Sequence, residues 1–308
     1  MSLCATFLGT GGAVPTTQRN TSAVFLRREG ERMLFDCGEG TQRQMMRFGT
    51  GFGVSHVFVT HLHGDHVLGI PGLLQTMGFN GRSDPIAVHV PAGCRSQVEE
   101  LVGVAGGRPA FPVRINAVEA GDVALDAGDY EVRAFETDHD ARSVGYVLDE
   151  AERKGRFDRE RAEELGVPVG PKFQTLHAGE PVELEDGTVV EPEQVVGDPR
   201  PGRTVAYTGD TRPTAATVAA ADGADLLVHD ATFASDDAGR AGRTAHSTAA
   251  GAAGIANEAG AQRLALVHVS SRYAGNPTPI ESEAREAFDG ERAFVPDDGD
   301  AVDVPFPE

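Results

Sequence analysis

The chain has 308 residues, enough for one large domain or two small ones, and its 40% hydrophobic content is enough to bury a core. No apolar run reaches the roughly 18 residues that a membrane-spanning helix needs, so no such span is expected. Its formal net charge is −20, from 47 acids against 27 bases, and Lys154 and Lys172 are its only lysines.

An acidic coat poor in lysine reads as solubility in very high salt, where self-repulsion is screened. The alternative is an acidic protein with a cationic or metal-rich partner. Aspartates cluster in turns that look exposed, Asp236-Asp237 and Asp297-Asp298-Gly299-Asp300. Cys4, Cys37 and Cys94 are odd in number and widely spaced, which reads as free thiols and not as a disulfide framework or thiolate zinc site. Met1-Ser2-Leu3-Cys4 has no basic segment and leads straight into a strand pattern, so a cytoplasmic location is expected.

Short β runs recur along the chain. Thr6 to Leu8, Ala23 to Leu26, Met33 to Phe35 and His56 to Thr60 come first. Ala87 to Val90, Tyr130 to Phe135, Gly145 to Leu148, Val205 to Tyr207, Leu226 to Val228 and Leu264 to Val267 follow. Helices are predicted at Gly40 to Phe48, His66 to Met77, Ser96 to Val104 and Ser247 to Glu258. The last has Ser247 or Thr248 as N-cap and Gly260 just past its end. Strand blocks mixed with helices predict an α/β architecture with two sheets. Between about 149 and 195 the strand rhythm stops, and the charged, Gly- and Pro-containing stretch reads as an inserted arm in a single domain spanning 1–308.

The chemistry is concentrated after the strand His56 to Thr60, in His61-Leu62-His63-Gly64-Asp65-His66. Four ligand-type side chains within six residues do not converge easily on one ion, so the spacing points to two. Two ions about 3.5–4 Å apart clamp a phosphoryl or carbonyl centre. A run of surface histidines is the plainer alternative. His139, Asp210 and His268 each follow directly on an apolar run, where further ligands belong, although each taken singly is compatible with an ordinary polar residue at a strand end.

His-x-His-x-Asp-His, with the later His139, Asp210 and His268, resembles the metallo-β-lactamase superfamily over most of the chain. That resemblance implies a four-layer αβ/βα sandwich with an inserted, protruding arm. It implies two zinc ions per subunit, one held by His61, His63 and His139, the other by Asp65, His66 and His268, with Asp210 bridging. More narrowly, four segments resemble the ribonuclease Z family. They are Phe7-Leu8-Gly9-Thr10-Gly11-Gly12-Ala13-Val14-Pro15 with Arg19-Asn20; Gly166-Val167-Pro168-Val169-Gly170-Pro171; His229-Asp230-Ala231-Thr232-Phe233 with His246-Ser247-Thr248; and His268-Val269-Ser270-Ser271-Arg272-Tyr273. One departure is Asp230, where the family pattern usually has Glu.

The resemblance implies an endoribonuclease that removes the 3′ trailer of precursor tRNA, works as a homodimer in which one subunit's arm serves the other's site, and leaves a 3′-hydroxyl. Asp65, His246 and Asp230 are then the catalytic residues. Arg272, Ser270, Gly170, Pro171, Arg19 and Asn20 are the substrate contacts.

The residues also bear reading directly. His246 paired with Asp230 suits a general acid whose tautomer the carboxylate fixes, and a mere helix cap is the alternative. Arg272 suits a phosphate clamp, or is a surface charge. Residues 151–172 hold six bases and five acids, a net of +1 on an otherwise acidic chain, as an RNA-gripping arm requires. A solvated helix with internal ion pairs is the plainer account of the same stretch. A small-molecule phosphodiesterase or thioesterase on the same scaffold, or an RNA-binding or metal-storing protein without turnover, are the competing functions.

Overall fold

The computed structural model describes residues 2–104, 107 and 109–307. Strands β1 (Leu3–Gly9), β2 (Ala23–Arg28), β3 (Glu31–Phe35), β4 (His56–Phe58), β5 (Ile86–Pro91), β6 (Val113–Val118), β7 (Val123–Asp126) and β8 (Tyr130–Glu136) come first. They are followed by β9 (Val144–Glu150), β10 (Val182–Glu183), β11 (Val189–Val190), β12 (Thr204–Tyr207), β13 (Leu226–Asp230), β14 (Arg263–Val267), β15 (Arg292–Phe294) and β16 (Ala301–Asp303). The early helices are α1 (Thr41–Phe48), α2 (Gly64–Val67), α3 (Ile70–Phe79), α4 (Arg95–Gly103), α5 (Arg159–Glu164) and α6 (Pro171–Ala178). The later ones are α7 (Ala215–Ala220), α8 (Ala238–Arg243), α9 (Ala249–Glu258) and α10 (Thr278–Ala287).

The chain divides into two compact units, Met1–Asp149 with Arg203–Pro305, and Glu150–Gly202 with Phe306–Glu308. In the larger unit two seven-stranded sheets run β16-β1-β2-β3-β4-β5-β6 and β15-β14-β13-β12-β9-β8-β7. Between them lies one apolar layer to which both sheets contribute, including Phe7, Phe35, Phe58, Tyr146, Leu148, Tyr207 and Val228. Phe35 and Phe58 stack at 5.0 Å within it. The opposite face of the first sheet is covered by Met45 of α1, Leu73, Leu74 and Met77 of α3, and Val98 of α4. That of the second is covered by the alanine-rich α9 and by Ile280 and Ala284 of α10. The four layers are thus helix, sheet, sheet and helix, the sandwich expected from the sequence. The near-continuous apolar strands follow from burial on both faces.

The predicted helix from His66 to Met77 is two helices. Gly69 separates them because a Cβ there would meet the Gly38 carbonyl oxygen at 2.1 Å. In the break, Cys37 N–H donates to the His66 carbonyl (2.8 Å) and Gly69 N–H to the Cys37 carbonyl (2.9 Å). The helix yields hydrogen bonds to a neighbouring loop and so holds His66 at a strand end.

In the smaller unit, α5 is capped by Asp158, whose side chain accepts from Arg161 N–H, and α6 is entered through Gly170 and Pro171. These helices and the β10–β11 hairpin enclose a small core of Ala162, Val167, Leu176, Val182, Val190 and Val195. Isolated bridges Arg153↔Arg200 and Phe157↔Val196 zip the two ends of this excursion together, so it closes at 202 and not at 195. That boundary changes the charge argument. Over 150–202 seven bases face thirteen acids, a net of −6, and only the first part of the unit is basic.

Candidate metal centre

Every element of the centre lies at a strand end. The loop after β4 carries His61 to His66, the loop after β8 carries His139, and Asp210, Asp230 and His268 lie at or just beyond the ends of β12, β13 and β14. His61, His63, His139 and Asp210 offer ligand atoms within 4.8 Å of one another, as do Asp65, His66 and His268. Asp210 reaches both groups: Oδ2 is 3.7 Å from His61 Nε2 and 3.2 Å from His268 Nε2, while Oδ1 is 3.4 Å from His66 Nε2.

The hydrogen bonds behind these rings decide which nitrogen faces inward. Asp36 Oδ2 accepts from His66 Nδ1 at 2.7 Å, and the Ala245 carbonyl accepts from His139 Nδ1 at 3.0 Å. The Thr60 hydroxyl gives its only proton to Asp36, so it accepts from His61 Nδ1 (3.0 Å). By the same logic the Thr232 hydroxyl donates to Asp230 (2.6 Å) and accepts from His268 Nδ1 (2.8 Å). Four imidazoles therefore carry their proton on Nδ1 and present an Nε2 lone pair, the arrangement that a metal requires of histidine. Among the described residues, His61 Nε2, His66 Nε2 and Asp210 Oδ1 are buried without a hydrogen-bond partner. Buried polar atoms left so cost free energy unless an ion takes them up. Nitrogen and carboxylate donors in this proportion suit zinc-like cations. His63, half-exposed, approaches His139 Nε2 at 3.2 Å through its Nδ1.

Electrostatics agree with a cation site. Burial pushes the Asp65 and Asp210 carboxyls up, but the surrounding His66 and His268 outweigh it and hold both well below the usual carboxylate range. Burial likewise opposes charge on His66, yet Asp210 and Asp36 hold its pKa well above the ordinary imidazole value, so a positive charge is favoured at Nε2 and a bound cation would take the place of the proton there. At His61 burial prevails and keeps the ring neutral.

Beside the cradle, His246 Nδ1 donates to Asp230 Oδ2 at 2.8 Å and lies 4.0 Å from Asp210 Oδ2. Burial lowers the His246 pKa, but the Asp230 carboxylate, its hydrogen bond and Asp210 together raise it to about 9. Asp230 also accepts from Thr211 N–H, Thr232 N–H and Thr232 Oγ1. The shorter side chain thus reaches His246 with its remaining lone pairs in use.

Not all predicted contacts are placed alike. Arg272 is about half exposed, 3.8 Å from Asp237, and Ser270 N–H donates to the Thr232 carbonyl. Gly170 and Pro171 start α6 in the smaller unit. Arg19 is a correction. Arg19 is 1% exposed, its guanidinium held by Thr10 Oγ1, the Pro296 carbonyl and Asp297. Asn20 spends its amide on the Glu39 carbonyl. Arg19 thus braces the first loop from behind and is not offered to a ligand, while Asn20 beside it is partly exposed.

Sequence reading missed Asp36, Thr60, Thr232 and the Ala13 amide, which donates to Asp65 Oδ2 at 2.8 Å. Asp36 had a signal, since it follows Met33-Leu34-Phe35 as Asp210 follows its own run.

Comparison with known proteins fits this geometry. A family model described as Beta-lactamase superfamily domain matches residues 187–269, and one described as Anti-Pycsar protein Apyc1 matches residues 3–105. Ribonuclease Z of Natronomonas pharaonis is 74% identical over 308 residues, covering 100% of both chains. That of Methanosarcina acetivorans is 49% identical over 302 residues, covering 98% of each. The chain belongs to the ribonuclease Z family. It is accordingly a hydrolase of RNA, an endoribonuclease. The short form of human tRNase Z superposes with a TM-score of 0.71 at 27% identity, over 98% of this chain and 100% of that one. Relatives in Halorubrum lacusprofundi and Haloferax volcanii, at 66% and 64% identity, fit the reading of the acidic, lysine-poor surface as halophilic.

Proposed function

We infer that this chain, an endoribonuclease of tRNA 3′ processing by family, cuts precursor tRNA with two zinc ions per subunit. His61, His63 and His139 would hold one ion and Asp65, His66 and His268 the other, with Asp210 shared. Bound there, the ions supply Lewis acidity to the phosphoryl group and acidify water. The chain's own residues do the rest. Asp65 and Asp210, ionised at neutral pH, orient that water and take its proton. Arg272 offers its planar fork to the non-bridging phosphoryl oxygens. His246, protonated and held by Asp230, delivers a proton to the departing 3′ oxygen, so the tRNA ends in a 3′-hydroxyl.

The observation that carries this reading is the His246–Asp230 pair, an acid of raised pKa beside a metal cradle. Asp210, Asp230, His246 and His268 also lie within 4.8 Å of one another, which favours a second reading of His246 as a ligand. Against it, the His246 nitrogen turned towards Asp210 and Asp230 is Nδ1, whose proton is already committed to Asp230, and the Asp230 oxygens are committed to Thr211 and Thr232.

The inserted unit from 150 to 202 is read as the substrate-gripping arm, with Gly170 and Pro171 at its α6 entrance. A homodimer is supported by exposed apolar side chains on α1 and α3, where Met46 is 67% exposed and Phe79 92%. No helix among the described residues is long and apolar enough to cross a membrane, and a cytoplasmic location, where tRNA is made, goes with the reading. The test is end-mapping of a precursor tRNA incubated with zinc-loaded protein. One cut at the 3′ side of the acceptor stem is expected, and an intact precursor alongside hydrolysis of small phosphodiesters would refute it.

A further inference from the structure

Helix α8 reads Ala238-Gly239-Arg240-Ala241-Gly242-Arg243. Arginines three apart share one helix face, and here both are exposed while Ala241 is buried as the anchor. On α4, α5 and α10 arginines are paired with glutamates of their own helix, Arg95–Glu99, Arg159–Glu163 and Arg285–Glu281, whereas the exposed Arg43 and Arg47 of α1 share with α8 the lack of such a partner among the described residues. Among the described residues neither Arg240 nor Arg243 has a carboxylate partner, and the nearby Asp237 is turned to Arg272 and Tyr273.

The position of α8 is fixed and close to the reaction. His246 N–H donates to the Ala241 carbonyl and Thr244 N–H to the Arg240 carbonyl. The Arg240 guanidinium sits 5.8 Å from the Phe233 ring centre, and that ring is 6.2 Å from His246. Arg212 fastens the far end, giving Nε and Nη2 to the Gly242 carbonyl and Nη1 to Asp138.

We propose that α8 is a landing site for the RNA backbone on the mature side of the cut, with Arg240 and Arg243 each taking a phosphate 5′ of the scissile one. The direction rests on the functional reading above. If His246 protonates the departing 3′ oxygen, the nucleotide that owns this oxygen lies on the His246 side, and the strand leading to it passes α8. Guanidinium forks match phosphate oxygens without reading base identity, as an enzyme acting on many precursors requires. At molar salt, with a Debye length of about 3 Å, only such close contacts survive screening.

The test is binding of two RNAs to zinc-loaded full-length protein, a mature tRNA ending in a 3′-hydroxyl and a 5′-phosphorylated trailer oligonucleotide. For R240A/R243A the tRNA should bind more weakly, with its slope of log Kd against log salt reduced by about 2, while trailer affinity holds. R240K/R243K should recover the slope, because charge is restored. An unchanged tRNA affinity and slope, or an equal loss for both RNAs, overturns the site. Cleavage of precursor tRNA by the wild-type protein is followed in parallel. A variant that still cuts and keeps full tRNA affinity defeats the α8 site alone, and a wild type that fails to cut defeats the functional reading.

Discussion

Asp36 Oδ2 accepts a hydrogen bond from His66 Nδ1 at 2.7 Å, and the same oxygen takes the Tyr207 hydroxyl at 2.8 Å from the opposite sheet. Thr60 adds its hydroxyl to Oδ2 and its amide to Oδ1. One carboxylate thereby couples the aim of two cradle histidines to the packing between the sheets.

Replacing Asp36 by Asn should keep the volume but turn an amide N–H₂ towards groups that are themselves donors. Partners behind metal-ligating histidines typically control 10–100-fold in metal affinity, and a loss in that range is expected on competition with a zinc chelator. Tyr207→Phe removes one hydrogen bond, so it should cost about 1 kcal/mol in denaturant unfolding and leave metal content intact. Equal metal affinity in Asp36→Asn and wild type would show that Asp36 serves packing only.

The pH dependence follows from His246. As a raised-pKa acid it is protonated below about 9 and loses its proton as pH rises through that value, so single-turnover cleavage should fall on the alkaline side. Asp230→Asn removes the main carboxylate that raises it. The ring then returns towards an ordinary value of about 6.5, and at about pH 8 the variant should cut roughly thirtyfold more slowly. At acid pH the two rates should converge, and a uniform loss across all pH would mark Asp230 as merely structural.

What the sequence made legible was whatever depends on local spacing and strand ends. His61 to His66 stood out because so many ligand types crowd one turn, and His139, Asp210 and His268 because each follows an apolar run. Asp36 obeys the same rule, but nothing local shows that its partner is a tyrosine 171 residues away. The break at Gly69 was illegible for the same reason, since its cause is the carbonyl of Gly38 across the fold. Arg19 misled because a charged residue in a family-like motif suggests a ligand, whereas its partner, Asp297, comes from the far end of the chain. The extent of the arm depended on backbone bridges between Arg153 and Arg200, which no composition window reveals.

The smaller unit offers a prediction on substrate choice. Exchanging 150–202 for a short Gly-Ser linker leaves the two-sheet core and its strand-end ligands in place, because the unit has its own apolar cluster. Zinc content and hydrolysis of a small phosphodiester should persist, and cleavage of precursor tRNA should be lost through KM. Full tRNA cleavage by this variant would remove the arm from the mechanism.

The last prediction concerns Asp298, which composition placed among exposed acidic turns. It is half-buried, accepting at Oδ1 from Thr10 N–H and Oγ1 and at Oδ2 from Asn20 N–H (2.6 Å) and Gln44 Nε2 (2.8 Å). The loop it holds leads to Gly12, where a Cβ would collide with His268 Nδ1 at 2.5 Å, and to Ala13, whose amide meets Asp65. Asp298→Ala strands two backbone N–H groups and removes the acceptor of the Thr10 hydroxyl, while the Gln44 amide keeps its bond to the Leu8 carbonyl. At about 1–3 kcal/mol for each buried donor left unpaired, a loss of several kcal/mol in denaturant unfolding is expected. Because the loosened loop also frees Asp65, the surviving folded fraction should bind zinc less tightly. A variant that loses stability but keeps wild-type zinc affinity would show that the loop braces the fold without tuning the centre.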